Sequence, residues 1–255
     1  MKKTLIKILP KYLYLYLRWY DFKFNRAKGF KKVQEARKVD SPENGGYLPF
    51  DKAQAIFVHI PKCAGISLNK ALFNSIGGGH TTLEQYINVF PPRLFCKYFK
   101  FTFVRNPWDR VASAYFFLQT GGMNPWDKEF YEQELAQYAS FEDFVLNWLK
   151  PENLFKHHHF TPQYHYLFDQ YKKVSVDYVG YVESIDEDFA YISKRMGVNA
   201  SLAKNNAVHR ADYRNLYSPE MIEKVREVYQ QDIELLNYDF NGVIEPVRNL
   251  SHLLN

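Results

Sequence analysis

Apolar residues along this chain alternate between short β-type runs and longer stretches with helical spacing. Three runs have the composition of buried strands, at residues 55–58, 101–104 and 174–183. A helical pattern follows each of these runs, beginning near Ile66, near Trp108 and at Ile185. Strands that alternate with helices predict an α/β fold with a central parallel sheet covered on both faces, in a three-layer α/β/α arrangement.

Several helix ends are predicted by capping residues. Thr81 and Thr82 both suit the start of a helix from Leu83 to Val89, and Ser184 suits the start of the helix that Gly197 ends. Ser218-Pro opens a last helix, whose apolar positions are Ile222, Val225, Val228, Tyr229 and Ile233.

The first strand leads into a turn and then directly into a helix. Lys62 lies in this turn, Gly65 permits a tight backbone turn, and Ser67 lies at the helix start. Free backbone N–H groups and the helix dipole at such a point favour a phosphate or sulfate. The spacing is not that of a nucleotide triphosphatase loop, because Lys62 precedes the glycine. An ordinary strand-to-helix turn with a surface lysine is the alternative.

The second strand leads into a similar turn at Asn106-Pro107. Arg105 ends the strand, and Ser113 lies about two helical turns further on, so both side chains can reach one anion at the start of that helix. The alternative is that Arg105 pairs with Asp109 and that Ser113 is a small packing residue. Two cationic turns in one chain fit a ligand with two separated anionic groups.

The sequences of these two turns resemble motifs of a known family. Residues 57–67, FVHIPKCAGIS, resemble the 5′-phosphosulfate loop of sulfotransferases that use 3′-phosphoadenosine 5′-phosphosulfate (PAPS), and residues 104–113, VRNPWDRVAS, resemble their 3′-phosphate motif. The similarity is strongest to the Golgi carbohydrate sulfotransferases and their bacterial relatives, and it extends from about residue 55 to about residue 240. It implies a P-loop-NTPase-like fold.

The resemblance also implies a set of site residues. The donor, with its product 3′,5′-adenosine bisphosphate, is expected to contact residues of the two turns and of a later basic loop: Lys62, Cys63, Ala64, Gly65, Ile66, Ser67, Arg105, Ser113, Arg210, Tyr213 and Arg214. His80 follows three glycines and is the expected general base, which takes the proton of the acceptor hydroxyl. Gln163, in a Pro-Gln element, is a weaker candidate for contact with the acceptor.

The expected reaction is in-line transfer of a sulfuryl group to a carbohydrate hydroxyl, with Lys62 neutralising charge on the leaving phosphate oxygen. Three alternatives stay open: a P-loop kinase that uses ATP, a protein-tyrosine sulfotransferase, and a non-enzymatic adaptor that binds through a basic arm. Nothing resembles an acidic pair that holds magnesium, which weakens the kinase alternative.

The positive charge of the chain is concentrated at its start. Residues 1–38 contain 12 basic residues and two acidic ones, whereas residues 39–255 contain 21 basic and 26 acidic residues. On a helical wheel Lys3, Lys7, Lys11 and Arg18 oppose an apolar side, which holds Leu5, Ile6, Leu9, Leu13, Tyr16 and Tyr20. This basic amphipathic arm is expected to lie on an anionic membrane surface. A helix docked on the body of the protein, with its basic face in water, is the alternative.

These patterns divide the chain into the arm (1–38), a turn-rich linker (39–51) and a sulfotransferase domain (52–255). The arm has no apolar run long enough to span a membrane and no signal-peptide pattern, and Pro10 interrupts it. With only two cysteines in the chain, we expect a cytoplasmic protein, peripheral on the inner face of the membrane, with a glycan or glycolipid acceptor and no nucleic-acid partner.

Two further features of the sequence are assigned no chemical function. Cys63 is interpreted as a loop spacer and not as a nucleophile. His157, His158 and His159 are consecutive, so on a helix or a strand they point in different directions, and no acidic residue or cysteine stands at a supporting short spacing. No metal site is therefore expected there.

Overall fold

The computed structural model describes residues 8–40, 46–202 and 212–254. Its central sheet has three parallel strands in the order β1 (Ala55–Val58), β2 (Phe99–Val104) and β3 (Tyr178–Tyr181). Every residue of β1 and β3 is buried, as expected for strands covered on both faces. The predicted α/β class is confirmed, although the third strand is shorter than its apolar run.

Helices surround this sheet. In chain order they are α1 (Lys11–Asn25), α2 (Ala27–Ala36), α3 (Leu48–Ala53), α4 (Gly65–Phe73), α5 (Leu83–Val89), α6 (Pro92–Lys97), α7 (Pro107–Gln119), α8 (Pro125–Phe130), α9 (Phe141–Asp143), α10 (Tyr164–Leu167), α11 (Ile185–Met196), α12 (Pro219–Val228) and α13 (Gln230–Leu236). Two π-helical segments, Tyr131–Leu135 and Phe144–Trp148, extend α8 and α9. A short antiparallel hairpin pairs β4 (Tyr238–Asp239) with β5 (Gly242–Val243).

The predicted helix ends agree with the structure in most cases. Thr82 forms a capping box with Gln85 at the start of α5, and the Ser218 hydroxyl accepts the N–H of Met221 at the start of α12. Ser184 does not cap α11; its hydroxyl donates to Asp188 instead. The predicted last helix is interrupted at Tyr229, and α3 occupies part of the predicted linker.

The arm packs on the body of the protein. Tyr14 and Leu15 of α1 are wholly buried, and the Tyr14 hydroxyl donates to the Asp169 carboxylate at 2.7 Å. Arg18, on the predicted basic side, forms a salt bridge with Glu84 of α5. The docked face therefore includes Arg18, which the docked alternative expected to lie in water, whereas Lys11 of the same basic side is exposed. None of the helices within the described residues is long and apolar enough to cross a membrane.

Buried apolar side chains form two clusters. The larger one surrounds the sheet and includes the arm residues Tyr14 and Leu15. The second lies between α7, α12 and the segment 130–160, with Trp108 and Trp148 among its largest members. The turn after β1 reaches α7 through the contact of Lys62 with Phe117, and the turn after β2 leads directly into α7.

Candidate active site

The turn after β1 depends on a close approach between two residues. A Cβ atom on Gly65 would lie 1.8 Å from Cδ2 of His59, so the imidazole ring occupies the space of a side chain. The left-handed backbone positions of the turn are Lys62 (φ 68°) and Ala64 (φ 58°). The expectation that Gly65 supplies backbone freedom is therefore wrong, and its function here is to make room for His59.

Helix α4 starts at Gly65 without a side-chain cap. Ile66 and Ser67, in its first turn, are exposed. The Lys62 ammonium lies 3.6 Å from the ring centroid of Phe117 on α7. An exposed, uncapped helix start beside a lysine is an arrangement that suits an anion.

The turn after β2 contacts the first turn directly. Nη1 of Arg105 donates to the carbonyl oxygen of Lys62 at 3.2 Å and to the Ser113 hydroxyl at 3.3 Å. Nε of the same guanidinium donates to Asp109 at 2.7 Å. The structure thus brings Lys62, Arg105 and Ser113 together as predicted, and the pairing with Asp109 is present at the same time.

Gln163 contacts both turns through its side chain. Its side chain exchanges two hydrogen bonds of 2.9 Å with the backbone of Arg105, and its Oε1 atom lies 3.5 Å from the Cys63 sulfur. Asp232 accepts the backbone N–H groups of Gln163 and Tyr164, both at 2.7 Å. Because Gln163 is wholly buried and its amide is used within the protein, it positions the turns; contact with the acceptor is not its function in this structure.

The Cys63 thiol is also buried. Its exposed fraction is 1%, and burial raises its pKa to about 12. A thiol with this pKa is not ionised near neutrality, which agrees with the interpretation of Cys63 as a spacer.

His80 lies next to the first turn. Its Nδ1 atom is 3.3 Å from the carbonyl oxygen of His59, and its ring centroid is 4.5 Å from those of both His59 and His158. Burial lowers the pKa of His80, so the ring is neutral near pH 7. If Nδ1 donates to the His59 carbonyl, Nε2 carries the lone pair that a general base needs.

The third group of predicted donor contacts is described only in part. Arg210 lies outside the described residues. The Tyr213 hydroxyl donates to the carbonyl of Phe240, while the exposed Arg214 pairs with its neighbour Asp212. Burial, followed by the charge of Asp109, raises the pKa of Tyr213 to about 12.

Sequence patterns missed two contributors to this region, Arg110 and Phe117. Arg110 is buried and donates to the carbonyl oxygens of His159 and Thr161, both at 2.9 Å, which fixes that segment against α7. Phe117 carries the Lys62 contact and also meets the His159 ring edge-on at 4.9 Å. A charged residue among the apolar positions of α7 is the only sequence signal, and it indicates Arg110.

The fold and site together define an α/β protein with two turns, each carrying a basic residue, at the carboxyl ends of adjacent parallel strands. A family model described as "Sulfotransferase family" matches residues 46–239. An uncharacterised protein of Archaeoglobus fulgidus is 33% identical over 126 residues, or 49% of this chain and 89% of that protein. No solved structure matches the chain. The chain belongs to the sulfotransferase family, and this membership supports sulfuryl transfer in general.

Proposed function

We propose that this chain transfers a sulfuryl group from PAPS to a hydroxyl of a carbohydrate, in a glycan, a polysaccharide or a glycolipid. The observation that carries the proposal is the position of Arg105. One guanidinium nitrogen contacts both the first turn, through the Lys62 carbonyl, and the Ser113 hydroxyl of the second. Two anion-binding turns joined in this way suit a nucleotide with separate phosphate groups.

Each end of the donor has its own residues in this proposal. The start of α4, from Lys62 to Ser67, holds the 5′ end, and Arg105 with Ser113 holds the 3′-phosphate. Nε of Arg105 already donates to Asp109. In this proposal the 3′-phosphate therefore binds the other side of the guanidinium, which faces Ser113. Tyr213, whose pKa is raised by burial and by the charge of Asp109, offers an aromatic face to the adenine in this proposal.

The chemical step needs one base and one electrophilic stabiliser. His80 accepts the proton of the acceptor hydroxyl while the hydroxyl oxygen forms a bond to sulfur. The bond between sulfur and the 5′-phosphate oxygen breaks, and its electron pair stays on that oxygen. Lys62 stabilises this negative charge. The neutral state of His80 near pH 7 supports its assignment as the base.

Donor binding is tested by calorimetric titration of the full chain with 3′,5′-adenosine bisphosphate, with ATP and Mg²⁺ as the comparison. Binding of the bisphosphate is expected, and Arg105→Gln should weaken it by at least about tenfold, since a charge-assisted contact contributes roughly 1.5–3 kcal/mol. Arg226→Gln, at an exposed salt bridge on α12, is the matched control and should bind normally. A preference for ATP and Mg²⁺ would support the kinase alternative instead.

Acceptor chemistry is tested with labelled PAPS against sugars and tyrosine peptides. Label is expected in sugars, and label only in peptides contradicts the carbohydrate proposal. His80→Ala should reduce turnover by roughly 100-fold or more with donor affinity retained. His165→Ala, at an exposed histidine of α10, is the control and should keep full turnover.

We also propose that the arm binds an anionic membrane surface, which in cells is the inner leaflet. Support comes from the outward face of α1, where apolar side chains at helical spacing are 39–70% exposed: Tyr12, Leu13, Tyr16, Leu17, Tyr20 and Phe24. Lys11, Lys28 and Lys31 are exposed on the same arm and add positive charge. Amphipathic helices with these two properties bind in the headgroup region.

Because the arm contributes Tyr14 and Leu15 to the core, point variants test this proposal better than a deletion. A chain with Tyr12→Ser, Tyr16→Ser and Phe24→Ser should bind phosphatidylglycerol vesicles at least about tenfold more weakly than wild type. Phe155→Ser, at an exposed ring outside the arm, is the control. Equal binding by all three proteins, or binding that is insensitive to salt, contradicts the proposal.

A further inference from the structure

Four potential metal ligands converge beside the proposed active site. Asp127 of α8 and the consecutive residues His157, His158 and His159 each offer one ligand atom, and these atoms all lie within 4.8 Å of one another. The histidines lie in a tight turn, closed by a hydrogen bond from the N–H of Phe160 to the carbonyl of His157. In such a turn neighbouring side chains can converge, so the expectation that these rings diverge is wrong.

The polar atoms at this point are buried and unsatisfied. Oδ1 of Asp127 and Nε2 of His157 are 3.2 Å apart, yet neither makes a hydrogen bond within the described part of the chain. Nδ1 of His159 also has no hydrogen-bond partner among the described residues. The other nitrogen of that ring, Nε2, lies 3.9 Å from Oδ1 of Asp127. The exposed fractions of these residues are 2% for Asp127, 1% for His157 and 6% for His159. Buried polar atoms without partners are costly and require an explanation.

The carboxylate is held in the orientation of a ligand. Oδ2 of Asp127 accepts the backbone N–H of Met123 and the side-chain amide of Asn124, both at 2.9 Å, so Oδ1 alone faces the histidines. A Cβ on Gly122 would lie 2.2 Å from Cβ of Asp127, so the glycine makes room for the side chain. Ligating carboxylates in metal sites are supported by hydrogen bonds of this kind.

We propose that Asp127, His157, His158 and His159 bind one divalent transition-metal ion, with zinc as the preferred ion. Three imidazoles and one carboxylate suit zinc or another late first-row metal and not magnesium or calcium, which prefer oxygen ligands. Four protein ligands complete a tetrahedral site, so the ion is structural. It joins α8 to the turn that carries His158, whose ring lies against His80.

A direct interaction between His157 and Asp127 is the competing explanation. The backbone N–H of His159 lies 3.4 Å from Nδ1 of His157, which places the proton of a neutral ring on Nε2, towards Asp127. The contact nonetheless lacks hydrogen-bond geometry. A metal ion on Nε2 of His157 requires the ring proton to move to Nδ1. The Co²⁺ affinity from the titration described next would include the free-energy cost of this change.

The test uses the full chain, purified without a polyhistidine tag and freed of metal with a chelator. Co²⁺ titration followed by absorption should give one equivalent with the intense visible bands of tetrahedral cobalt, and Zn²⁺ should displace it. Trp126 stacks on the His157 ring at 4.1 Å, so metal binding should also change tryptophan fluorescence. Zinc should raise the thermal midpoint, because an ion that binds only the folded state stabilises it.

Variants then locate the site. Asp127→Asn and His157→Gln should each weaken Co²⁺ binding by roughly 100-fold or more, since even supporting residues of metal sites contribute about 10–100-fold. His80→Ala should keep the site, and so should His165→Ala. If the wild-type protein binds no Co²⁺ at micromolar concentrations, the proposal is overturned whether or not the variants fold. Equal affinity in wild type and Asp127→Asn overturns it as well. These readouts do not depend on sulfuryl transfer, so they are independent of the proposed function.

Discussion

At the scale of single residues, the contact between Gly65 and His59 is the tightest constraint on the first turn. The His59 ring fills the space beside the Gly65 backbone, stacks at 5.7 Å on Phe57 and lies 4.5 Å from His80. Gly65 therefore allows the His59 ring to pack between the first turn and His80.

Gly65→Ala should lower the free energy of unfolding by about 1–3 kcal/mol, because the new methyl group displaces a packed ring. Urea unfolding measures this change. Gly29→Ala is the control: its Cβ would meet Phe22 at an ordinary 3.5 Å within α2, so up to about 1 kcal/mol of stabilisation is expected. If the stability of Gly65→Ala is unchanged, the His59 ring can adopt another position at no cost in free energy, and the proposed constraint is contradicted.

His59 makes stability depend on pH. Burial lowers its pKa to about 3. Between about pH 6.5 and this value the unfolded chain binds a proton that the folded protein excludes, so stability falls as pH falls, by up to roughly 1.4 kcal/mol per pH unit. Urea unfolding from pH 7.5 to 5 measures the slope. His59→Phe keeps a ring on Phe57 and should reduce the slope; an identical slope contradicts the assignment.

At the scale of elements, local chemistry was predictable and contacts across the chain were not. Thr82 and Ser218 cap helices through groups three residues away, so their patterns are visible in the sequence. The turns after β1 and β2 were found for the same reason. Asp127 and His157, by contrast, are 30 residues apart in the sequence, and only the fold brings them together.

The role of Gln163 illustrates the same limit within the site. The Pro-Gln pattern identifies Gln163 as a candidate site residue, but it does not predict that the side-chain amide faces the protein interior. Only the packing of α10 against α13, where Asp232 holds the start of α10, determines this direction. The Pro-Gln pattern therefore identifies the residue, but the expected contact with the acceptor is not supported by its complete burial.

Gln163→Leu should lower the free energy of unfolding by about 2–4 kcal/mol, because the backbone N–H and carbonyl of Arg105 lose their partners in a buried place. It should also weaken binding of 3′,5′-adenosine bisphosphate in protein that is still folded, which calorimetry measures. Gln133→Leu, at an exposed glutamine, is the control for both readouts. Normal nucleotide affinity in folded Gln163→Leu would show that the turns hold their positions without it.

At the scale of the whole molecule, the arm is a structural part of the protein. Tyr14 reaches Asp169, whose carboxylate also accepts the backbone N–H groups of Lys173 and Val174. The charge pattern of residues 1–38 predicted an amphipathic helix but not the side that would dock, because Arg18 pairs with Glu84 only in the folded structure.

Removal of residues 1–38 should destabilise the protein by several kcal/mol, since two wholly buried side chains of about 1.5–3 kcal/mol each are lost. Thermal unfolding measures the loss. The milder Tyr14→Phe, which removes only the hydroxyl to Asp169, should cost roughly 1 kcal/mol. A truncated protein with unchanged stability contradicts the docking of the arm.

The two turns leave from β1 and β2, which are paired neighbours in a parallel sheet. Neighbouring strands are separated by about 4.8 Å, and this spacing varies little. In the proposed donor complex, the distance between the two phosphate-binding turns is therefore set mainly by the main-chain pairing of β1 with β2. We expect nucleotides whose charged groups are separated by a clearly different distance to bind more weakly, whatever base they carry.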